Sequence, residues 1–283
     1  MTSIETHPSA MPQHPTNPQP QAPPPDGLLE GRDFAGRQIQ GTRAVQEDSY
    51  GVIQRTEFAG APGDLFLILA DGMGGHAAGE VASSLAVNTF ADSFLASTTA
   101  CDAGRLWDCL ENANKRIGAE IEARGIAFEG MGTTLLAVLL RGNSARWISV
   151  GDSPLYRIRG NALQRLNQIH SRAADLANMV SAGLMTEDDA RQDPTRHTLI
   201  SALIGDRIYE VDDPEPMDLT AGDVLVAATD GLHTLTDREI ASLVAMHAAK
   251  GAAAAADALL DAVTAKHLPM QDNTSVVVVR IPG

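Results

Sequence analysis

Aromatic side chains make up only 4% of the 283 residues, and cysteine occurs twice. A chain this poor in aromatics must build its core from Ala, Leu, Val and Ile. Cys101 and Cys109 lie eight residues apart in what reads as one helical region. Along a helix that is about 12 Å, too far for a disulfide, so both are expected as small, buried or half-buried thiols in a reducing cytosol. No apolar run reaches the length of a membrane span. No cationic stretch followed by an apolar segment opens the chain, whose first basic residue is Arg32, so no secretory signal is expected. Basic residues are scarce as well. Lys and Arg number 21 against 36 Asp and Glu, a formal charge of -15. Nucleic acid and anionic membrane would both be repelled.

The chain has two compositional parts. Eight of its 15 prolines precede Asp26, in "HPSAMPQHPTNPQPQAPPP". Residues 1–30 are therefore expected as a disordered or polyproline II tail, and 31–283 as the folded domain. In that domain, short β-like runs ("SYGVIQR", "DLFLILA", "TTLLAVLLRG", "SARWISVG", "LYRIRG") are interrupted by helical stretches at about 77–98 and 104–124. Two short helices are expected within 171–192, strands near 198–201, 207–213 and 223–228, then helices at about 237–249 and 252–267. "TSVVVVRI" reads as the last strand. Strands in hairpin-like succession with helices in pairs indicate α+β with antiparallel sheets, not parallel βαβ units.

The chemistry lies in "LILADGMGGHAAGE". Asp71 stands where the apolar strand gives out, beside Gly72, Gly74 and Gly75, which let the backbone turn and approach a ligand. No Gly-Lys-Ser/Thr follows, which excludes a nucleotide P-loop. Other acids have the same placement: Glu47 and Asp48 in "QEDSYG", Asp152 in "VGDSPLY", Asp230 in "AATDGLH", and Asp272 in "QDNTSVVVV". A sheet rim crowded with carboxylates is unstable unless cations neutralise it, and all-oxygen ligands suit Mg²⁺ or Mn²⁺.

The series "RAVQEDS", "DGMGGHAAGEVAS", "GMGTTL", "GDSPLYRIR", "TDGL" and "DNTSVVVV" resembles the bacterial metal-dependent Ser/Thr protein phosphatases of the protein phosphatase 2C family, from about Arg37 to Ile281. The resemblance implies a four-layer α-β-β-α sandwich: two central, mainly antiparallel sheets flanked by helix pairs, with the metals in a cleft between the sheets. Carried over by position, Asp71 would bridge two ions and the Gly72 carbonyl would complete one of them. Asp230 and Asp272 would hold the first ion and Glu47 the second, while Asp152 would share a third, weaker ion with Asp230. Asp48 would orient metal-bound water, and Arg43 would grip the substrate phosphate, a task its planar fork suits. A water between two divalent ions ionises near neutral pH and can attack phosphorus in line, so no nucleophilic Ser or Cys is required.

The same resemblance implies phosphorylated Ser/Thr proteins as substrates, a Ser/Thr kinase of the same cell as opponent, a monomer, and a cytoplasmic location. The segment 168–200 would be a mobile flap. Departures fall at Met73, which stands where eukaryotic members place a general-acid His, and at Pro154 and Ile169, which replace commoner polar residues. His76 is expected as a loop or helix-start residue. One rival is a Gly-Asp-Ser-Leu esterase, with Ser153 as nucleophile and His233 as base. It leaves Glu47, Asp48, Asp71 and Asp272 unexplained. A second is a catalytically weak phosphoprotein-binding module, disfavoured because every inferred metal-binding acid is present.

Overall fold

The computed structural model describes residues 28–55, 64–74, 77–99, 101–128, 130–196 and 198–282. The tail expected over 1–30 thus lies outside the described residues up to 27, as do Gly75 and His76. Leu28, assigned to that tail from sequence, instead packs against the core between the sheets.

Eleven strands and six α-helices are described. The strands are β1 (Phe34–Ile39), β2 (Asp48–Arg55), β3 (Asp64–Met73), β4 (Gly132–Thr133), β5 (Leu135–Arg141), β6 (Ser144–Val150), β7 (Leu155–Arg159), β8 (Ala162–Arg165), β9 (Met217–Asp218), β10 (Val224–Ala228) and β11 (Thr274–Arg280). The helices are α1 (Ala77–Ala96), α2 (Asp102–Arg124), α3 (Arg172–Ser181), α4 (Glu187–Gln192), α5 (Asp237–His247) and α6 (Ala252–Ala265). One sheet has the order β1-β11-β10-β7-β8 and the other β2-β3-β5-β6-β9, with β4 added on β3. Every pair of named strands is antiparallel.

The central strands are continuous apolar runs because both of their faces are covered. On β3, Leu65, Leu67 and Leu69 meet the opposite sheet, while Phe66, Ile68 and Ala70 meet α1 and α2. On β11, Val277 and Val279 join the inter-sheet core, while Val276 and Val278 face α5 and α6. Period-two alternation thus feeds two cores from one strand. Each such aliphatic side chain removed from water contributes about 1.5–3 kcal/mol. The result is the four-layer α-β-β-α sandwich expected from the sequence. The aromatic shortage is met by concentration, for Phe66 stacks on both Phe90 and Phe94 under α1. Thr236 and Glu239 close a reciprocal capping box that starts α5.

Three expectations need correction. β3 does not end at Asp71; it runs on to Met73, because Gly72 and Met73 find partners in Thr133 and Gly132 of β4. The stretches 198–201 and 207–213 are not strands. Side-chain bonds shape them instead: Ser201 Oγ donates to the Glu210 carbonyl (2.8 Å) and accepts from the Glu210 N–H (3.0 Å). That leaves only single bridges, Ser171–Leu199 and Ser149–Asp212. Cys101 is exposed at the start of α2, and only Cys109 is buried.

Candidate metal centre

The acids reach one end of the sandwich by strand register. Asp48, the first residue of β2, stands directly opposite Asp71 on β3. Asp230 opens a 3₁₀ turn one residue after Thr229, which itself follows β10, and Asp272 lies two residues before β11. Asp152 follows β6, and Glu47 precedes β2. Both sheets therefore contribute.

Asp48 ties them together. Its Oδ2 accepts from Thr229 Oγ1 at 2.8 Å and Ser275 Oγ at 2.9 Å, both from the other sheet. Burial pushes its carboxyl up, the two hydroxyls pull it back, and the charges of Asp230 and Asp272 push it up again, to about 7. The Asp71 carboxyl is held well above the usual carboxylate range, first by burial and then by the charges of Asp230, Asp48, Asp152 and Asp272. Burial also raises Asp152, against the opposing pull of Arg165. Of the six acids picked out from the sequence, five thus belong to one electrostatic neighbourhood. Among the described residues, no ion pair reaches Asp48, Asp71 or Asp152.

Backbone closeness explains the glycines. A Cβ on Gly72 would stand 2.1 Å from the Gly79 carbonyl and 2.6 Å from that of Glu47. A Cβ on Gly79 would press on the Glu47 carboxylate, 2.5 Å from Oε1. Gly72 is needed for approach and not for a turn, since it lies within β3; the positive φ, 119°, belongs to Gly74. The Gly72 N–H donates to the Glu47 carbonyl (3.0 Å), which fixes Glu47 beside the strand.

Arg43 is placed differently from the sequence expectation. Its guanidinium pairs with Asp272 at 2.6 Å, with both side chains partly exposed. Among the described residues, no three His, Cys, Asp or Glu side chains are gathered tightly enough to hold an ion as they stand. Five mutually repelling acids would spread in this way. Closing on a cation takes side-chain rotation and release of Asp272 from Arg43. The donor set nevertheless fits a hard divalent cation, being all oxygen and half-buried, with Asp48, Asp71 and Asp152 outside any ion pair among the described residues.

Several supporting residues carried no assigned role in the sequence reading, although their motifs were picked out. Asn273 clamps the entry loop: its Nδ2 donates to the carbonyls of Gln40 (2.8 Å) and Val45 (3.1 Å), and its Oδ1 accepts from the Glu47 N–H (2.8 Å). Thr134 Oγ1 accepts from the Asp71 N–H at 2.9 Å. His170 Nδ1 accepts from the Gly151 N–H at 3.2 Å, and burial lowers its pKa, so a neutral ring braces the Asp152 turn. Pairing like this is a tertiary event that spacing along the chain does not encode.

The esterase arrangement is not formed. Buried Ser153 shares its hydroxyl with Thr134 at 2.9 Å, and His233 Nε2 meets the Tyr156 hydroxyl at 3.2 Å. The acids open instead into a cleft of about 500 Å³, whose lining includes Asp71, Asp152 and Asp230 together with Ile200, Ile204 and Tyr209.

Comparison with known proteins agrees with this geometry. The Protein phosphatase 2C family model matches residues 35–271. The serine/threonine protein phosphatase PstP of Mycobacterium tuberculosis is 35% identical over 201 residues, 70% of this chain but 36% of that protein, so the match spans about a third of that relative. The serine/threonine phosphatase stp of Listeria welshimeri is 32% identical over 195 residues, 67% of this chain and 73% of that protein. A crystal structure of the PstP catalytic domain in complex with two manganese ions superposes with a TM-score of 0.71 at 30% identity, covering 88% of this chain and 98% of that one. With family model, relatives and fold in agreement over the same motif-bearing body, the chain belongs to the protein phosphatase 2C family.

Proposed function

We propose that the chain is a metal-dependent protein Ser/Thr phosphatase, hydrolysing phosphoserine and phosphothreonine in protein substrates. The observation that carries this is Asp71, half-buried and lining an open cleft with Asp152 and Asp230, its carboxyl raised first by desolvation and then by four neighbouring carboxylates. Such a site gains stability by binding cations, and a structure-only acid cluster would not sit open to a cleft.

Asp71, Asp230 and Asp272 would hold one divalent ion, and Asp71 and Glu47 a second, with the Gly72 carbonyl brought near by its missing Cβ. Asp152 would serve a third, weaker ion together with Asp230. Bound Mn²⁺ or Mg²⁺ supplies Lewis-acid polarisation of the phosphoryl group and acidified water. The chain's own groups do the rest. Thr229 and Ser275 fix one Asp48 oxygen, so this carboxylate is oriented to hold a water by hydrogen bonding. Arg43 is half exposed, and once parted from Asp272 it can fork onto phosphate oxygens. The cations also offset the repulsion between a phosphate dianion and a protein of charge -15. A Ser/Thr kinase of the same cell is the natural opponent, with the enzyme acting as a cytoplasmic monomer and 168–200 as its flap.

The test is phosphate release from phosphoserine, phosphothreonine and phosphotyrosine peptides with Mn²⁺, Mg²⁺ or EDTA. The expected result is release from the first two with either metal and none in EDTA. Turnover that survives thorough chelation sinks the proposal.

A further inference from the structure

The cleft that the acids line also carries large, mainly apolar side chains left facing solvent. Ile200 is 39% exposed, Ile204 38% and Tyr209 68%. Exposed apolar groups of this size normally collapse inward or gather at a ligand site. Here collapse is prevented by the backbone. Leu203 exchanges both main-chain hydrogen bonds with Thr133, at 2.9 and 3.0 Å. Asn114 Oδ1 accepts from the N–H groups of Ile204 (3.1 Å) and Gly205 (2.9 Å). Thr133 in turn donates through Oγ1 to the Asp71 carbonyl at 2.8 Å. The backbone at Leu203 and Ile204 is thus tied through Thr133 to Asp71, and Ile200, Ile204 and Tyr209 line one cleft with the acids. A preformed apolar face beside a few converging polar groups is the usual build of a selective pocket.

We propose that this apolar wall of the cleft reads the residues beside the phosphorylated Ser or Thr and selects apolar ones. The inference rests on the phosphatase reading above and adds the substrate class. Continuity decides the occupant: a chain that presents its phosphate to Asp71 and Asp152 must lay its neighbouring side chains toward Ile200, Ile204 and Tyr209. A peptide with Leu there covers the wall, whereas one with Asn leaves an amide against it without a partner. Discrimination by an apolar pocket of this kind is about tenfold or more.

The experiment compares two phosphothreonine peptides, alike except for Leu or Asn on both sides of the phosphothreonine, by kcat/KM with Mn²⁺. The expected ratio is about tenfold in favour of Leu. Ile204→Ser and Tyr209→Ser should each bring the ratio toward one. Tyr209 is exposed enough that its truncation leaves folding intact, and the melting temperature of each variant checks this. Equal kcat/KM for the two peptides overturns the inference while leaving the phosphatase reading standing. So does an unchanged ratio in folded Tyr209→Ser. An unchanged ratio with an altered sedimentation coefficient assigns the wall to contact between copies and also overturns it. If neither peptide nor p-nitrophenyl phosphate is hydrolysed with Mn²⁺, the phosphatase reading fails and takes the inference with it.

Discussion

Strand β3 starts at Asp64 and carries Asp71 two residues before its other end, and β10 lies between Asp223 and Asp230. The two ends of these strands handle the charge in opposite ways. At one end Asp64 receives two hydrogen bonds from Arg141, at 2.8 and 3.0 Å, and Asp223 receives two from Arg159, at 2.6 and 2.8 Å. The Arg159 bonds hold the Asp223 carboxyl below its usual range. At the other end lie Asp71 and Asp230, and there Asp71 and neighbouring Asp48 are pushed up. Residue type and strand are the same. At the first end each of these aspartates holds an arginine, whereas at the second Asp48 and Asp71 meet no ion pair among the described residues and Arg43 pairs with Asp272. The first end is read as structural and the second as the candidate site.

The sharpest way to break this contrast is Asp71→Asn. It removes one charge from the centre of the cluster, and we expect turnover with Mn²⁺ to fall by about a hundredfold or more. Calorimetric counting should show two tight Mn²⁺ sites lost, whereas Asp152→Asn should keep both. Two intact sites in the Asp71 variant would contradict its bridging role.

Metal removal tests the same end through pH. Asp48 has an unfolded value near 3.8 and a folded one of about 7. Between these Asp48 holds a proton in the folded metal-free protein that it has lost in the unfolded chain, so its contribution to stability is greatest below about 4 and falls as pH rises to about 7. Mn²⁺ at pH 7.5 should restore it by binding only the folded site. Melting curves in EDTA across pH 4–8 check the sign; a rise of melting temperature through that window would refute it.

At the structural end, Asp223→Ala should cost about 1–3 kcal/mol in urea unfolding, because the Thr220 N–H and Arg159 both lose an acceptor. Turnover per folded molecule should stay near normal. The smallest effect is expected from Ser153→Ala, which loses one hydroxyl pair with Thr134 and should keep most activity. Loss of all activity there, with Asp71→Asn still active, would favour the esterase.

The antiparallel α+β class was legible in the chain, where buried strands such as "DLFLILA" and "TSVVVV" are unbroken apolar runs, and the order of the four layers came from the family resemblance. The misread stretches near 198–213 show the limit of that signal. Their β-like alternation is real, but Ser201 and Asn114 draw the backbone into loops with side-chain bonds from distant positions. The end of β3 was misplaced for a related reason: Gly72 and Met73 are strand only because β4 pairs with them.

For the candidate centre, the sequence alone singled out six acids, each near the end of an apolar strand and beside small residues. The structure brings five of them into one electrostatic neighbourhood. Only the tertiary structure decided how they are held. Register set Asp48 opposite Asp71, hydroxyls from the other sheet fixed Asp48, and Arg43 came to rest on Asp272. The apolar lining of the cleft was likewise hidden, since Ile200 and Tyr209 read as ordinary strand residues and Ile204 fell between the expected strands, where Thr133 and Asn114 hold the backbone. Charge and hydrophobicity are local properties of a chain, whereas counter-charge and exposure depend on which distant residues the fold brings near.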